Sequence, residues 1–133
     1  MNRSILAECL RIAREKHGPT HPAWDQKAVH YSFIVQDNKI LEMGVNRPDG
    51  KPPLHYGYPN YSDIHSEIDV WTKTRGILKN RKWEIVNIKL LKKLPDYPLA
   101  DAAPCNKCME FLRARGCRHF YFTTNTGWLA KIV

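Results

Sequence analysis

Two short segments bring together side chains that bind metal and move protons: His65-Ser66-Glu67 and Pro104-Cys105-Asn106-Lys107-Cys108. Cys105 and Cys108 stand three residues apart, so on a helix both sulfurs share one face and can grip one ion. A helix N-terminus also favours the thiolate form that zinc requires. His65 offers a third, nitrogen donor. Three protein ligands leave one tetrahedral corner for water, the mark of a catalytic rather than a structural zinc. Glu67 then has a task, because such a water must lose a proton before it can attack. One geometric demand follows. Residues two apart on a regular helix point about 200° away from each other. His65 and Glu67 therefore share a site only if His65 is a cap whose backbone is not yet helical.

Each segment alone is a weak signal. A C-x-x-C pair can be redox-active or half of a structural zinc site, and H-x-E arises often by chance. The competing arrangement is a structural Cys₂His₂ zinc with His55 as fourth ligand, which would leave Glu67 without a purpose. The two segments occurring in this order, each at the expected start of a helix, favour the catalytic arrangement.

The elements that must position them read as follows. Ile5, Leu6, Cys9, Ile12 and Ala13 recur at helical spacing and predict a first helix over Ser4 to Lys16, stopped by Gly18-Pro19. Val29 to Val35 and Ile40 to Val45 read as strands joined in a hairpin by the turn-forming residues 36–39. The stretch from Arg47 to Ser62 has no periodicity and holds four of the nine prolines, so it reads as a long loop of the kind that carries function. It contains His55, Tyr56, Tyr58 and Tyr61. A second helix follows, with Ile64, Ile68, Trp71 and Leu78 on one face, and then a third strand from about Glu84 to Leu91. Pro104 is expected in the first turn of a third helix, where its missing N–H costs nothing. Met109 and Leu112 face inward there, and Gly116 ends the helix. His119 to Thr124 form a fourth strand, and Trp128 to Val133 return as a fifth after the turn Asn125-Thr126-Gly127. The order predicts a single domain over 1–133, a three-layer α/β/α sandwich around a mixed five-stranded sheet with a C-terminal β-hairpin.

Composition bounds the rest. The chain has 133 residues, 43% hydrophobic and 26% charged, which is ordinary for a globular domain. No run approaches the length of a membrane span and no signal-like segment opens the sequence, so a cytoplasmic protein without membrane association is expected. Cys9 and Cys117 stand alone in apolar surroundings and read as small buried hydrophobes. His17, His21, His30 and His119 are assigned no role, and Trp24, Trp71, Trp83 and Trp128 read as core or interface. The net charge of +8 favours a polyanionic partner.

H-x-E together with P-C-x-x-C is the signature of zinc deaminases, and the chain resembles the cytidine deaminase-like superfamily in both motifs, their separation and the element order. The resemblance covers nearly the whole chain. It implies that fold, with one Zn²⁺ held between the second and third helices by His65, Cys105 and Cys108. It also implies that Glu67 moves protons to the ring nitrogen beside the attacked carbon and to departing ammonia. Asn46, at the end of the second strand, would hold the sugar, and the backbone of Ser66 and Ala103 would line the base pocket. His as first ligand, in place of the Cys of common free-cytidine deaminases, points toward deaminases of nucleotides and nucleic acids. A tight reversal at residues 125–127 implies antiparallel fourth and fifth strands, unlike the tRNA adenosine deaminases, whose C-terminal helix shapes the substrate. Deamination of cytosine in single-stranded DNA or RNA is the leading expectation. The basic clusters (Lys79, Arg81, Lys82; Lys92, Lys93; Arg113, Arg115, Arg118) support it, as do Tyr56, Tyr58 and Tyr61 as stacking faces for unpaired bases. Free cytidine, deoxycytidine or dCMP is the alternative, and a non-catalytic zinc-stabilised nucleic-acid-binding module stands behind both. Many relatives assemble as dimers or tetramers, so a homo-oligomer stays open.

Overall fold

Alternation along the strands and helical spacing along the helices sort the apolar residues into two clusters, one on each face of a single sheet. The computed structural model describes residues 1, 3–48, 50, 63–78, 82–92 and 98–132, with the backbone alone for 127–132. The elements are α1 (Arg3–Lys16), β1 (Ala28–Gln36), β2 (Lys39–Val45), α2 (Ser66–Thr74), β3 (Trp83–Leu91), β4 (Leu99–Ala100), α3 (Asn106–Arg113), β5 (Cys117–Thr124) and β6 (Gly127–Ile132). On one face, Leu6, Cys9 and Ala13 of α1 pack on Val29, Tyr31, Phe33, Val35, Val86, Ile88 and Leu90. On the other, Ile68, Val70 and Trp71 of α2 and Cys108, Phe111 and Leu112 of α3 pack on Ile34, Trp83, Ile85 and Phe120. The layers are helix, sheet, helix.

The strand order is β2-β1-β3-β5-β6. Only β3 and β5 pair in parallel; β1–β2, β1–β3 and β5–β6 are antiparallel. So β2, β3 and β5 run the same way, and α2 and α3 both begin beyond the ends of strands pointing in that direction. The β1–β2 hairpin turns through Asp37 (φ 54°) and Asn38 (φ 57°). Two successive left-handed residues make the turn that suits strand twist, and Asp and Asn tolerate that conformation best after glycine. The C-terminal hairpin has the expected antiparallel sense, with Thr124 opposite Gly127.

Three expectations need correction. The sheet has six strands rather than five, because Leu99 and Ala100 pair with Leu90 and Lys89; two residues are too few to leave a periodic trace. Pro104 is not in the first turn of α3: Cys105 is the N-cap, so the proline precedes the helix. Helix α2 is shorter than its apolar spacing suggests, leaving Ile64 and Leu78 outside it. Ile64 instead exchanges backbone hydrogen bonds with Arg47, at 2.9 and 3.0 Å. Among the described residues no helix is long and apolar enough to cross a membrane.

Candidate metal centre

Both candidate metal-binding segments open their helices in the same way. His65 is the N-cap of α2 with φ −70° and ψ 152°, and Cys105 is the N-cap of α3 with φ −73° and ψ 158°. The demand placed on His65 by Glu67 is therefore met: the cap is extended, and the two side chains reach the same cavity. The Cys105 sulfur accepts the backbone N–H of Cys108 at 3.4 Å, as an N-cap side chain accepts from the third helical residue.

Packing brings the two helix starts together. Trp71 of α2 meets Phe111 of α3 edge to face, with centroids 5.0 Å apart at 90°. The Arg115 guanidinium covers Phe111 at 3.5 Å and Trp71 at 5.3 Å. Gly44 of β2 lets α2 lie directly on the sheet: a Cβ there would come within 2.4 Å of the Val70 nitrogen and 2.6 Å of the Ser66 carbonyl oxygen. Asp69, on the sheet side of α2, accepts from the Val45 N–H at 2.9 Å and from Arg47 Nε at 2.9 Å. These bonds hold the end of β2, and with it Asn46, against α2.

The ligand atoms of His65, Cys105 and Cys108 all lie within 4.8 Å of one another and could hold a metal ion. His65 Nδ1 is 3.2 Å from Cys108 Sγ and 3.6 Å from Cys105 Sγ. Tetrahedral coordination with N and S bonds of about 2.0 and 2.3 Å sets such edges near ~3.5 Å, so the spacing suits one shared ion. Hydrogen bonding from Cys108, with help from His65, pulls the Cys105 thiol down to about 4, despite the opposing effect of burial. The Cys105 sulfur in turn raises the pKa of His65. By contrast, burial pushes the thiols of Cys9 and Cys117 up, as suits inert core cysteines.

A cavity of about 230 Å³ opens beside these ligands, lined by Gln26, His30, Asn46, Asp63, His65, Ser66, Glu67, Ala102, Ala103 and Cys105. Glu67 is buried, and the loss of solvent raises its pKa. Its Oε1 accepts from Ser66 Oγ at 3.2 Å. Asn46, Ser66 and Ala103 are part of the cavity wall. Tyr56, Tyr58 and Tyr61, together with His55, lie outside the described residues. Of the basic clusters, Lys82, Arg113 and Arg118 are exposed, whereas Arg115 turns inward over the aromatic pair. Lys79, Arg81 and Lys93 also lie outside the described residues.

Sequence reasoning missed part of the wall. His30, given no role, faces the cavity, as do Gln26, Asp63 and Ala102. The signal for His30 was present in the register. Ser32 and Ile34 point to the α2 side of β1, so His30 must as well. His17 and His21 are satisfied structural residues, bonded to Tyr31 Oη and to the His30 carbonyl at 2.8 and 3.0 Å. His119 pairs with Glu84 at 2.7 Å on the α1 side of the sheet. No protein-family model matches the chain, and no curated protein is significantly similar to it.

Proposed function

We propose that the chain is a zinc-dependent hydrolytic deaminase that converts cytosine to uracil within single-stranded nucleic acid, on a cytidine deaminase-like fold. The observation that carries this reading is the meeting of His65, Cys105 and Cys108 at two helix starts, with buried Glu67 in the wall of the adjoining cavity. Two thiolates and one imidazole form a donor set that suits zinc, and a set of three leaves a corner for solvent. Bound there, zinc supplies the Lewis acidity that makes water nucleophilic at neutral pH.

The remaining work falls to the chain. Glu67 takes a proton from the attacking water and delivers it to the ring nitrogen beside the attacked carbon. A second proton passes through the same carboxylate to the amino group, which leaves as ammonia; cytosine and water become uracil and ammonia. The raised pKa of Glu67 fits this role, because a carboxyl that both accepts and gives protons works best near the ambient pH. Ala102 and Ala103 supply small side chains that leave room for a flat ring.

The net charge of +8 supports a polyanionic substrate. The antiparallel β5–β6 hairpin stands where tRNA adenosine deaminases continue into a helix, and this favours cytosine over adenine. A cavity of about 230 Å³ has room for one base and its sugar, which favours the second reading, a free cytosine nucleoside or nucleotide. Conversion of cytosine to uracil with release of ammonia, measured side by side on cytidine, dCMP, single-stranded DNA and RNA with zinc-loaded protein, decides between them. Activity on polymer falling steeply with salt fits the first reading. Uracil from none of the four removes the enzyme and leaves a zinc-stabilised binding module.

A further inference from the structure

Asn46 and His30 stand next to each other across the first hairpin. The register pairs Tyr31 with Val45; one step further it sets His30 opposite Asn46 on the α2 side of the sheet. Side chains at such positions are neighbours, with Cβ atoms about 4.5–5.5 Å apart. The backbone N–H of His30 donates to Asn46 Oδ1 at 2.9 Å. An N–H can only donate, so the amide orientation is fixed and the Nδ2 donor is the end left for the cavity.

The His30 imidazole also lines the cavity. Among the described residues its ring nitrogens have no hydrogen-bond partner. Burial, reinforced by the charge of Lys89, pushes its pKa down to about 4. The ring is neutral at physiological pH and offers one acceptor nitrogen and one N–H. Asn46 brings a donor and His30 an acceptor to the same stretch of wall. A group that takes one hydrogen bond and gives another completes the pair, and a hydroxyl does so.

The ligands and Glu67 come from the helix starts, whereas Asn46 and His30 form the sheet wall of the same cavity. A pyrimidine carries its sugar on the ring nitrogen opposite the attacked carbon, so the sheet wall meets the sugar. Within a strand of nucleic acid the 3′ oxygen is esterified and has no proton to give. The 2′-hydroxyl is then the one sugar group that both donates and accepts.

We propose that His30 is a specificity-determining residue that, paired with Asn46, binds the ribose 2′-hydroxyl and selects ribocytidine over deoxycytidine. The inference rests on the deaminase reading for the placement of the base.

Two substrate pairs test it: cytidine against 2′-deoxycytidine, and two otherwise identical pentanucleotides whose central cytidine is ribo or 2′-deoxy. Affinities are measured on zinc-loaded Glu67→Gln protein, and uracil formation on zinc-loaded parent. The expected result is tighter binding of the ribo member by about tenfold, the worth of one or two hydrogen bonds. His30→Phe, which keeps a ring but loses the nitrogens, brings the preference to within about twofold, and His30→Gln, with a carbonyl acceptor, restores part of it. Equal affinity for both members in Glu67→Gln protein that keeps His30, or a preference that survives the added His30→Phe, overturns the proposal. Uracil formation without ribose preference keeps the deaminase and removes this role of His30. A His30-dependent ribose preference without uracil keeps the sugar site and removes the enzyme. Protein that neither binds nor converts any of the four overturns both.

Discussion

Ser66 Oγ lies 2.7 Å from Ser32 Oγ in the buried layer between α2 and β1, and 3.2 Å from the Glu67 carboxylate. Asn87 Nδ2 donates to the Ala102 carbonyl, which turns Asn87 Oδ1 toward Ser32 to accept its hydroxyl at 2.7 Å. Having given its proton to Asn87, Ser32 can only accept from Ser66. The single proton of Ser66 can therefore turn either to Ser32 or to Glu67. With Glu67 ionised, Ser66 donates to it. With Glu67 protonated, the carboxyl donates to Ser66, whose own proton goes to Ser32. The network accommodates both states of the carboxyl group. Ser32→Ala should therefore cost about 1–3 kcal/mol, since it strips a donor from buried Asn87 and an acceptor from Ser66. The urea midpoint of unfolding reads this loss directly.

Glu67→Ala should keep its metal and lose at least ~10²–10⁴-fold in turnover, the usual worth of a positioned acid–base group. Metal content and the rate of uracil formation are measured on the same preparation. A variant that still turns over at the parental rate removes Glu67 from the mechanism.

His65→Ala should lose metal and stability together, because metal binding is coupled to folding free energy. Adding a chelator should lower the melting temperature of the parent toward that of the variant and leave the variant unchanged. Full metal occupancy in His65→Ala contradicts the ligand assignment.

Acidification should weaken the fold through His30. In the unfolded chain a histidine takes a proton near 6.5, but in the folded protein His30 does not until about 4. Between those values the unfolded state holds more protons, so stability rises with pH across the window and falls on acidification. The contribution is complete above about pH 6.5 and amounts to on the order of 3 kcal/mol. Urea unfolding of parent and His30→Phe at pH 7 and 4.5 isolates it, since metal effects common to both cancel. An equal loss in the two proteins contradicts the neutral buried imidazole.

Gly44→Ala should lift α2 from β2, because its Cβ would sit 2.7 Å from the Val70 Cβ as well as against backbone atoms. Overpacking of this kind costs about 1–3 kcal/mol or more. His65 opens the displaced helix, so metal affinity should fall too, as a chelator competition would show. Unchanged stability would mean that α2 has room to move.

The grouping of His65, Cys105 and Cys108, with Glu67 beside them, could be read from the sequence because metal chemistry constrains it: few residue types bind a soft metal, and C-x-x-C at a helix start leaves little freedom. Asn46 was singled out by the resemblance alone, which implies an asparagine at the end of β2. His30 was not, since a lone histidine at the start of a strand says nothing until the register sets it opposite Asn46. The Ser32–Ser66–Asn87 network stayed hidden for a similar reason: small polar residues on three elements carry no pattern along the chain. Pro104 was placed one cap too far inside α3, because a proline is equally at ease before a helix and in its first turn. Arg115 read as part of a charged surface, but its stem and guanidinium pack on Phe111 and Trp71, a pairing that only tertiary structure creates.

Strand direction has a practical result. The cavity lies where β2, β3 and β5 finish, and the Asp37-Asn38 turn lies where β1 finishes and β2 starts, at the far end of the sheet. A fluorescent label or fused passenger grafted into that turn would ride clear of incoming substrate. The reversal at residues 125 and 126 follows β5, on the cavity side, so the same graft there would crowd the entrance.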